Sequence, residues 1–230
     1  MKLHGVISNN NGLGVSMSAM LMEMNMIGVH NENIMGFDKI GYQRKRNVIP
    51  SFAEHIGVMA HSVAVDDSVG RLESSEYPLD IALSEKGYFQ VQGKDGTKLT
   101  RDGRFKLDKD GYLLTQENQN VLSTTGIPIK LPCSTKDIKD IKIDTNGTIS
   151  LFNREKMDYE PITTLSVVSD SNVAVLNPGV RQGFNEYSNV SIYSEFMRAA
   201  PVKRNFEANR RMFVIQSAVL TNMISKLSQG

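Results

Sequence analysis

Cysteine is nearly missing: Cys133 is the single one among 230 residues. No intramolecular disulfide can form, and without a second cysteine or a nearby histidine cluster there is no zinc-type ligand set. The thiol reads as a buried or idle side chain. An excess of one charge is missing too, because 26 Lys and Arg against 25 Asp and Glu leave a formal charge of +1. No global field draws in nucleic acid or an acidic membrane. The opening residues MKLHGVISNNNGLG lack the uninterrupted apolar stretch of a secretory signal, and nowhere do about 18 apolar residues run together as a spanning helix requires. Composition alone therefore predicts a soluble, cytoplasmic chain, and 40% hydrophobic residues suffice for a globular core.

Catalytic and ligand-binding patterns are equally scarce. Asp108, Asp110 and Gly111 resemble part of a calcium loop, but Lys106 occupies the first ligand position, and Lys142 spoils Asp144, Asn146 and Gly147 in the same way. Both read as solvated β-turns. Gly12 and Gly14 follow no strand and precede no phosphate-loop lysine. His4, His30, His55 and His61 lack the i, i+4 spacing and glutamate partner of a zinc helix. No Gly-x-Ser-x-Gly elbow or Cys–His pairing offers a nucleophile. The expectation is a non-enzyme with no cofactor, no metal, no small-molecule substrate and no nucleic-acid partner. The basic run Arg44, Lys45, Arg46 reads as a solvated connector or a subunit contact.

What the chain has is a helical signal at each end. Leu13, Met17, Met20, Met24, Ile27 and Ile34 fall at alternating steps of four and three, with Asn31 completing the series; this spacing predicts a helix with a heptad seam. Methionine dominates the seam, and its flexible thioether fills irregular gaps. Gly36 can take the left-handed backbone that stops a helix. At the other end Phe206, Phe213, Leu220 and Leu227 recur every seven residues, with Val202, Met223 and Ile224 beside them. This predicts a second amphipathic helix, with Arg204, Glu207, Arg210, Arg211 and Lys226 mostly off the stripe and Pro201 in the first turn.

Between about residues 77 and 168 the period changes to two, in runs at 88–92, 104–107, 112–115, 141–143, 148–152 and 162–168. Asp95-Gly96, Asp102-Gly103, Asp110-Gly111 and Asn146-Gly147 punctuate them, each able to supply the positive φ of a tight hairpin. The predicted fold is mainly β with long terminal α-helices. Its parts are an N-terminal helix and cap (1–42), an extended linker (43–76), an antiparallel β domain (77–168), a return linker (169–191) and a C-terminal helix (192–230). Isolated amphipathic helices are marginal in water, so the two ends are expected to pair with each other, or with neighbouring copies, in a coiled-coil-like axial domain. Docking of each helix on its own domain is the competing reading.

The central motifs carry a family resemblance. Leu79-Asp80-Ile81-Ala82-Leu83, Gly87-Tyr88-Phe89-Gln90-Val91, Leu99-Thr100-Arg101-Asp102-Gly103-Arg104-Phe105 and Asp110-Gly111-Tyr112-Leu113, in that order, resemble the β-domain signature of the rod and hook proteins of the bacterial flagellum. Gly183-Phe184, Glu186 and Ser188-Asn189-Val190 are similar to the family's approach to its last helix. Lys203-Arg204-Asn205-Phe206-Glu207-Ala208-Asn209 resembles the Gln-Arg-Ala-Tyr-Glu-Ala-Asn segment within that helix. Near the start only Asn33, Gly41 and Tyr42 match the family's Asn-Asn-Leu-Ala-Asn-Val-Asn-Thr-Thr-Gly-Tyr stretch outright.

The resemblance implies a structural subunit that polymerises helically through its terminal helices, transmits torque and forms part of the export channel. Its partners would be other copies, other rod or hook subunits and the flagellar export apparatus. It also implies type III export and residence in the basal body within the periplasmic space, against the cytoplasmic reading of composition. Leu13, Met17, Met20, Met24, Ile27, Ile34, Phe206, Phe213, Leu220 and Leu227 form the expected assembly interface. Proximal rod, distal rod and hook stay open, the short length leaning towards the proximal rod. The alternative is a flagellum-associated regulatory or chaperone-binding module that retains the β domain.

Overall fold

The computed structural model describes residues 12–48, 62–94, 96–132 and 138–228. Cys133, His4, His55, His61 and Asp95, singled out above, lie outside the described residues. The chain divides into two compact units, one from the described parts of 1–35, 45–65 and 191–230, the other from the described parts of 36–44 and 66–190.

In the first unit α1 spans Gly12–Gly36 and α2 spans Ile192–Leu227. By length and composition α1 is apolar enough to cross a membrane, although Ser16, Ser18, Glu23, Asn25, His30, Asn31 and Asn33 interrupt any pure apolar run. Ser191 caps α2 with an extended backbone, its Oγ accepting from the Ser194 N–H at 3.4 Å. Because α2 begins at Ile192, Pro201 lies inside the helix instead of in its first turn, and the Met197 carbonyl loses its i+4 donor. Two strands complete this unit: β1 (Lys45–Val48) pairs antiparallel with β2 (Ser62–Val65), Lys45 opposite Val65.

The second unit is built of short antiparallel strands: β3 (Leu72–Ser74), β4 (Ile81–Leu83), β5 (Tyr88–Gly93), β6 (Gly96–Thr100), β7 (Lys106–Leu107), β8 (Leu113–Leu114) and β9 (Asn120–Val121). There follow β10 (Ile141–Ile143), β11 (Thr148–Asn153), β12 (Asp158–Thr164), β13 (Val167–Val168), β14 (Val180–Gln182) and β15 (Phe184–Glu186). The main sheet runs β13-β5-β9-β8-β7 with β6 also on β5; β10-β11-β12 form a second sheet, and β4–β14 and β3–β15 are two-stranded. The mainly β fold with two terminal helices agrees with the sequence. The expected linkers contain strands as well, since β1, β2 and β3 fall in 43–76 and β14 and β15 in 169–191. β14 and β15 find their partners at β4 and β3, about 100 residues earlier, a distance that local periodicity does not register. The run 162–168 is split because β12 follows β11 whereas β13 has moved onto β5. Ser166 marks the change, its Oγ donating to Gln90 Oε1 at 2.6 Å.

Alternation along β5 turns Phe89 and Val91 inward, where they meet Leu79, Ile81, Phe105 and Ile149 in one buried cluster. Phe89 and Phe105 meet edge to face with centroids 5.2 Å apart and planes at 82°. Each such side chain contributes about 1.5–3 kcal/mol on burial. The predicted turns use glycine for two different reasons. Gly111 and Gly147 take φ of 85° and 88° in matching Asp-x-Asx-Gly turns. In these, Asp108 Oδ1 accepts from the Asp110 and Tyr112 N–H groups, and Asp144 Oδ1 from those of Asn146 and Thr148. At Gly103 the reason is space, since a Cβ there would stand 1.7 Å from the Ile81 oxygen.

The Arg101 of the resemblance motif is 2% exposed and ties this unit together. Its Nε and Nη2 reach Glu186 Oε2 at 2.8 and 2.6 Å, Nη1 donates to the carbonyls of Glu85 and Gly87, and Nη2 also to that of Leu83. Glu186 Oε1 accepts from the Gly70 N–H at 2.9 Å. A buried charge pair is tolerated only when its remaining hydrogen-bonding groups are met in this way.

Candidate assembly interface

Helix α1 buries Ser16, Ala19, Glu23, His30 and Asn33, with Val29 buried beside this row and Met26 half-buried within it. The row's steps of three and four make a heptad stripe, but a small and polar one, one residue earlier than the methionine seam read from the sequence. On α2 the inward stripe is Glu195, Ala199, Val202, Phe206, Asn209, Phe213 and Gln216, buried or half-buried. The helices run antiparallel: His30 and Asn33 meet Glu195, Glu23 meets Asn209, and Gly12 lies against Gln216.

A buried polar knot joins the helices to β1. Glu195 is fully buried, and its Oε2 lies 2.7 Å from His30 Nδ1 and accepts from Asn33 Nδ2 at 3.0 Å. The Asn33 amide also pairs both backbone groups of Lys45, donating to its carbonyl and accepting from its N–H, each at 2.8 Å. In effect the side chain stands in for a neighbouring strand. Asn47 donates to the Met26 carbonyl at 3.3 Å. The residue before Lys45 is fixed similarly within the other unit: Asn189 Oδ1 accepts from the Arg44 N–H at 2.7 Å, while Asn189 Nδ2 donates to the carbonyls of Asp66 and Ser68. The basic run is thereby divided. Arg44 is buried and faces Asp66 at 3.5 Å, Lys45 Nζ reaches Glu32 at 2.6 Å, and Arg46 is exposed.

Of the expected interface residues, Met17 and Met24 are exposed, and Leu13, Met20, Ile27 and Ile34 are half-buried beside the polar stripe. Phe206 and Phe213 lie on the inward stripe of α2, half-buried, whereas Leu220 and Leu227 are exposed. Leu13 and Leu220 come together at one apolar groove of about 360 Å³, lined also by Gly12, Ile215, Val219 and Met223. The sequence reading missed Glu195, His30 and Asn47, because it followed apolar periodicity. The signal that finds α1's buried face is the spacing 16, 19, 23, 26, 30, 33, equally regular but polar. Gly36 closes α1 without left-handed backbone: the Tyr42 ring stands where its Cβ would be, at 2.6 Å, and the positive φ of 71° falls at Gly41.

The helix pair thus has a mixed seam, with Glu23, His30, Asn33 and Glu195 buried beside Ala19, Val29 and Val202, and it leaves many apolar side chains outside. Val15, Met17, Leu21, Met24 and Met35 on α1, and Phe196, Met197, Val214, Ile215, Met223 and Ile224 on α2, are all exposed. Large exposed apolar surfaces mark association sites. Among the described residues no group of His, Cys, Asp and Glu is arranged to hold a metal.

The described residues thus form a β unit and a unit built on two long helices that leave many apolar side chains exposed. The D1 domain of the flagellar hook protein FlgE/F/G family matches residues 82–151. The flagellar basal-body rod protein FlgG of Bacillus subtilis (strain 168) is 26% identical over 247 aligned residues, 88% of this chain and 92% of that protein. The rod protein FlgF of Mesorhizobium japonicum is 28% identical over 78% of this chain and 80% of its own length. FlgF of Rhizobium meliloti is 31% identical over 60% of this chain and 62% of its own. Over these stretches the chain is similar to proteins of the flagellar rod and hook family.

Proposed function

We infer that this chain is a structural subunit of the flagellar basal-body rod. The carrying observation is the helix pair, whose outer faces leave apolar side chains bare that neighbouring subunits would cover. Removal of that surface from water, at roughly 25 cal/mol per Å², would drive the association. The relatives named above, all basal-body rod proteins, support the same reading.

In this reading the interface is Leu13, Met17, Met20, Met24, Ile27, Ile34, Phe206, Phe213, Leu220 and Leu227. Phe206 and Phe213 hold α1 and α2 together, while Met17, Met24, Leu220 and Leu227 meet neighbours. The subunits form a helical tube, with the helix pairs as its axial part, that transmits torque and carries the export channel. The subunit reaches the periplasmic space through the flagellar type III apparatus.

Replacement Phe213→Asp tests the helix pair. It places a carboxylate on the inward stripe of α2, so it blocks assembly and leaves the β unit folded, which circular dichroism and sedimentation distinguish. Motile cells carrying Phe213→Asp as their sole copy, or normally flagellated cells lacking the gene, would refute the role.

A further inference from the structure

Methionine is distributed unevenly in this chain. Of the 12 methionines, six lie in α1 and three in α2. Two-thirds of those nine are bare: Met17, Met24, Met35, Met197, Met212 and Met223 are 53, 57, 74, 58, 50 and 58% exposed. Met20, Met22 and Met26 are half-buried. In the β unit Met157 is 75% exposed, away from both helices in the sequence. Six of the 16 large apolar side chains exposed on the described parts of the two helices are therefore thioethers, which are the oxidisable apolar groups. Leucine or isoleucine at the same positions would give the same hydrophobicity without that chemistry.

We propose that the exposed helix methionines are an oxidation site that gates assembly, a consequence that rests on the rod reading above. The oxidant class is a peroxide. The thioether sulfur attacks one peroxide oxygen, an S–O bond forms and the O–O bond breaks; sulfur gives up two electrons, and the departing hydroxide takes a proton to leave as water. The product sulfoxide is polar and strongly hydrated. A face carrying several sulfoxides resists removal from water, so it no longer drives association. Once covered by neighbours, the same sulfurs are out of reach of the oxidant. A subunit oxidised before assembly is thus excluded, while one already incorporated is protected. Sulfoxide reduction restores the apolar face.

The experiment uses the full chain in a Cys133→Ser background, with and without hydrogen peroxide. Peptide mass spectrometry reads oxygen incorporation at each methionine, and sedimentation reads assembly. The expected result is oxidation of the six bare helix methionines ahead of Met20, Met22 and Met26, loss of sedimentation, and its recovery after treatment with methionine sulfoxide reductases. A variant with all six bare helix methionines changed to Leu sediments with or without peroxide, although Met157 is oxidised in it. Equal sedimentation of treated and untreated parent chain overturns the gate alone, as does a peroxide-dependent loss in the Leu variant. Failure of the untreated parent chain to sediment overturns the rod reading and the gate with it, even if the oxidation map follows exposure.

Discussion

Asn33 and Glu195, 162 residues apart in sequence, share a buried hydrogen bond of 3.0 Å that joins the first helix to the last. The same Asn33 amide closes two further bonds on the backbone of Lys45. One side chain therefore sets helix against helix and helix against hairpin. Polar contacts of this type inside an otherwise apolar seam fix register, because any slip leaves their groups unpaired.

Replacing Asn33 by Ala strands the Lys45 N–H and carbonyl and takes one donor from the Glu195 carboxylate. The expected loss is about 1–3 kcal/mol for each buried group left unmet. Amide hydrogen exchange should quicken in residues 12–36, 45–48 and 192–200, while the β unit keeps its protection.

Arg101→Ala leaves Glu186, whose side chain is 4% exposed, as an uncompensated buried carboxylate and removes donors from the carbonyls of Leu83, Glu85 and Gly87. A loss of about 3–5 kcal/mol follows. It would appear as a lower denaturant midpoint of the β unit. Arg101→Lys should recover little, since a single ammonium cannot reproduce the fork of donors.

Gly103→Ala drives a methyl into the Ile81 oxygen, the same residue whose N–H donates to the Gly103 carbonyl at 3.0 Å. The bridge between Asp80 and Arg104 should be lost with it, at a cost of about 3 kcal/mol, read from thermal melting. Gly126→Ala, where nothing lies within 4 Å of the added Cβ, is the comparison for backbone strain alone at φ 75°.

These cases show which features were legible in the residues. Phe89, Val91 and Phe105 announced the β core because alternation in short strands is a local pattern, and Asp110-Gly111 and Asn146-Gly147 announced their turns for the same reason. The pairing of α1 was less legible. A search for apolar residues every three or four positions finds Met17, Met20 and Met24, whereas the chain buries Ser16, Ala19 and Glu23, and the burial of Glu23 is explained only once Asn209 is known to face it. Pro201 misled through its own preference for a first turn, because Ser191 caps the helix well before it. β14 and β15 depend on partners remote in sequence, and no local period could show them.

Acid should loosen the hairpin of β11 and β12. The Lys156 ammonium hydrogen-bonds Glu160, Asn153 Nδ2 donates to it at 3.1 Å, and together with the Coulombic attraction of Lys156 they hold its carboxyl below the usual range. A carboxyl lowered in the folded state contributes stability above its unfolded pKa, about 4.3, and loses it as pH falls through the folded value. Amide exchange in residues 153–160 should therefore quicken on acidification below the ordinary glutamate range. Glu160→Gln removes that dependence; an unchanged acid limb in this variant would contradict the assignment.

Met24 separates folding from assembly most cleanly, because it is 57% exposed on α1 and an aspartate there keeps its carboxylate in solvent in the isolated subunit. The decisive measurement is the swimming and basal-body incorporation of Met24→Asp as the sole copy in cells, beside the stability of the purified variant. The account predicts a subunit as stable as the parent, absent from isolated basal bodies, in cells that do not swim. Normal incorporation and motility with Met24→Asp would contradict the claim that the outer face of the helix pair is covered by neighbouring subunits.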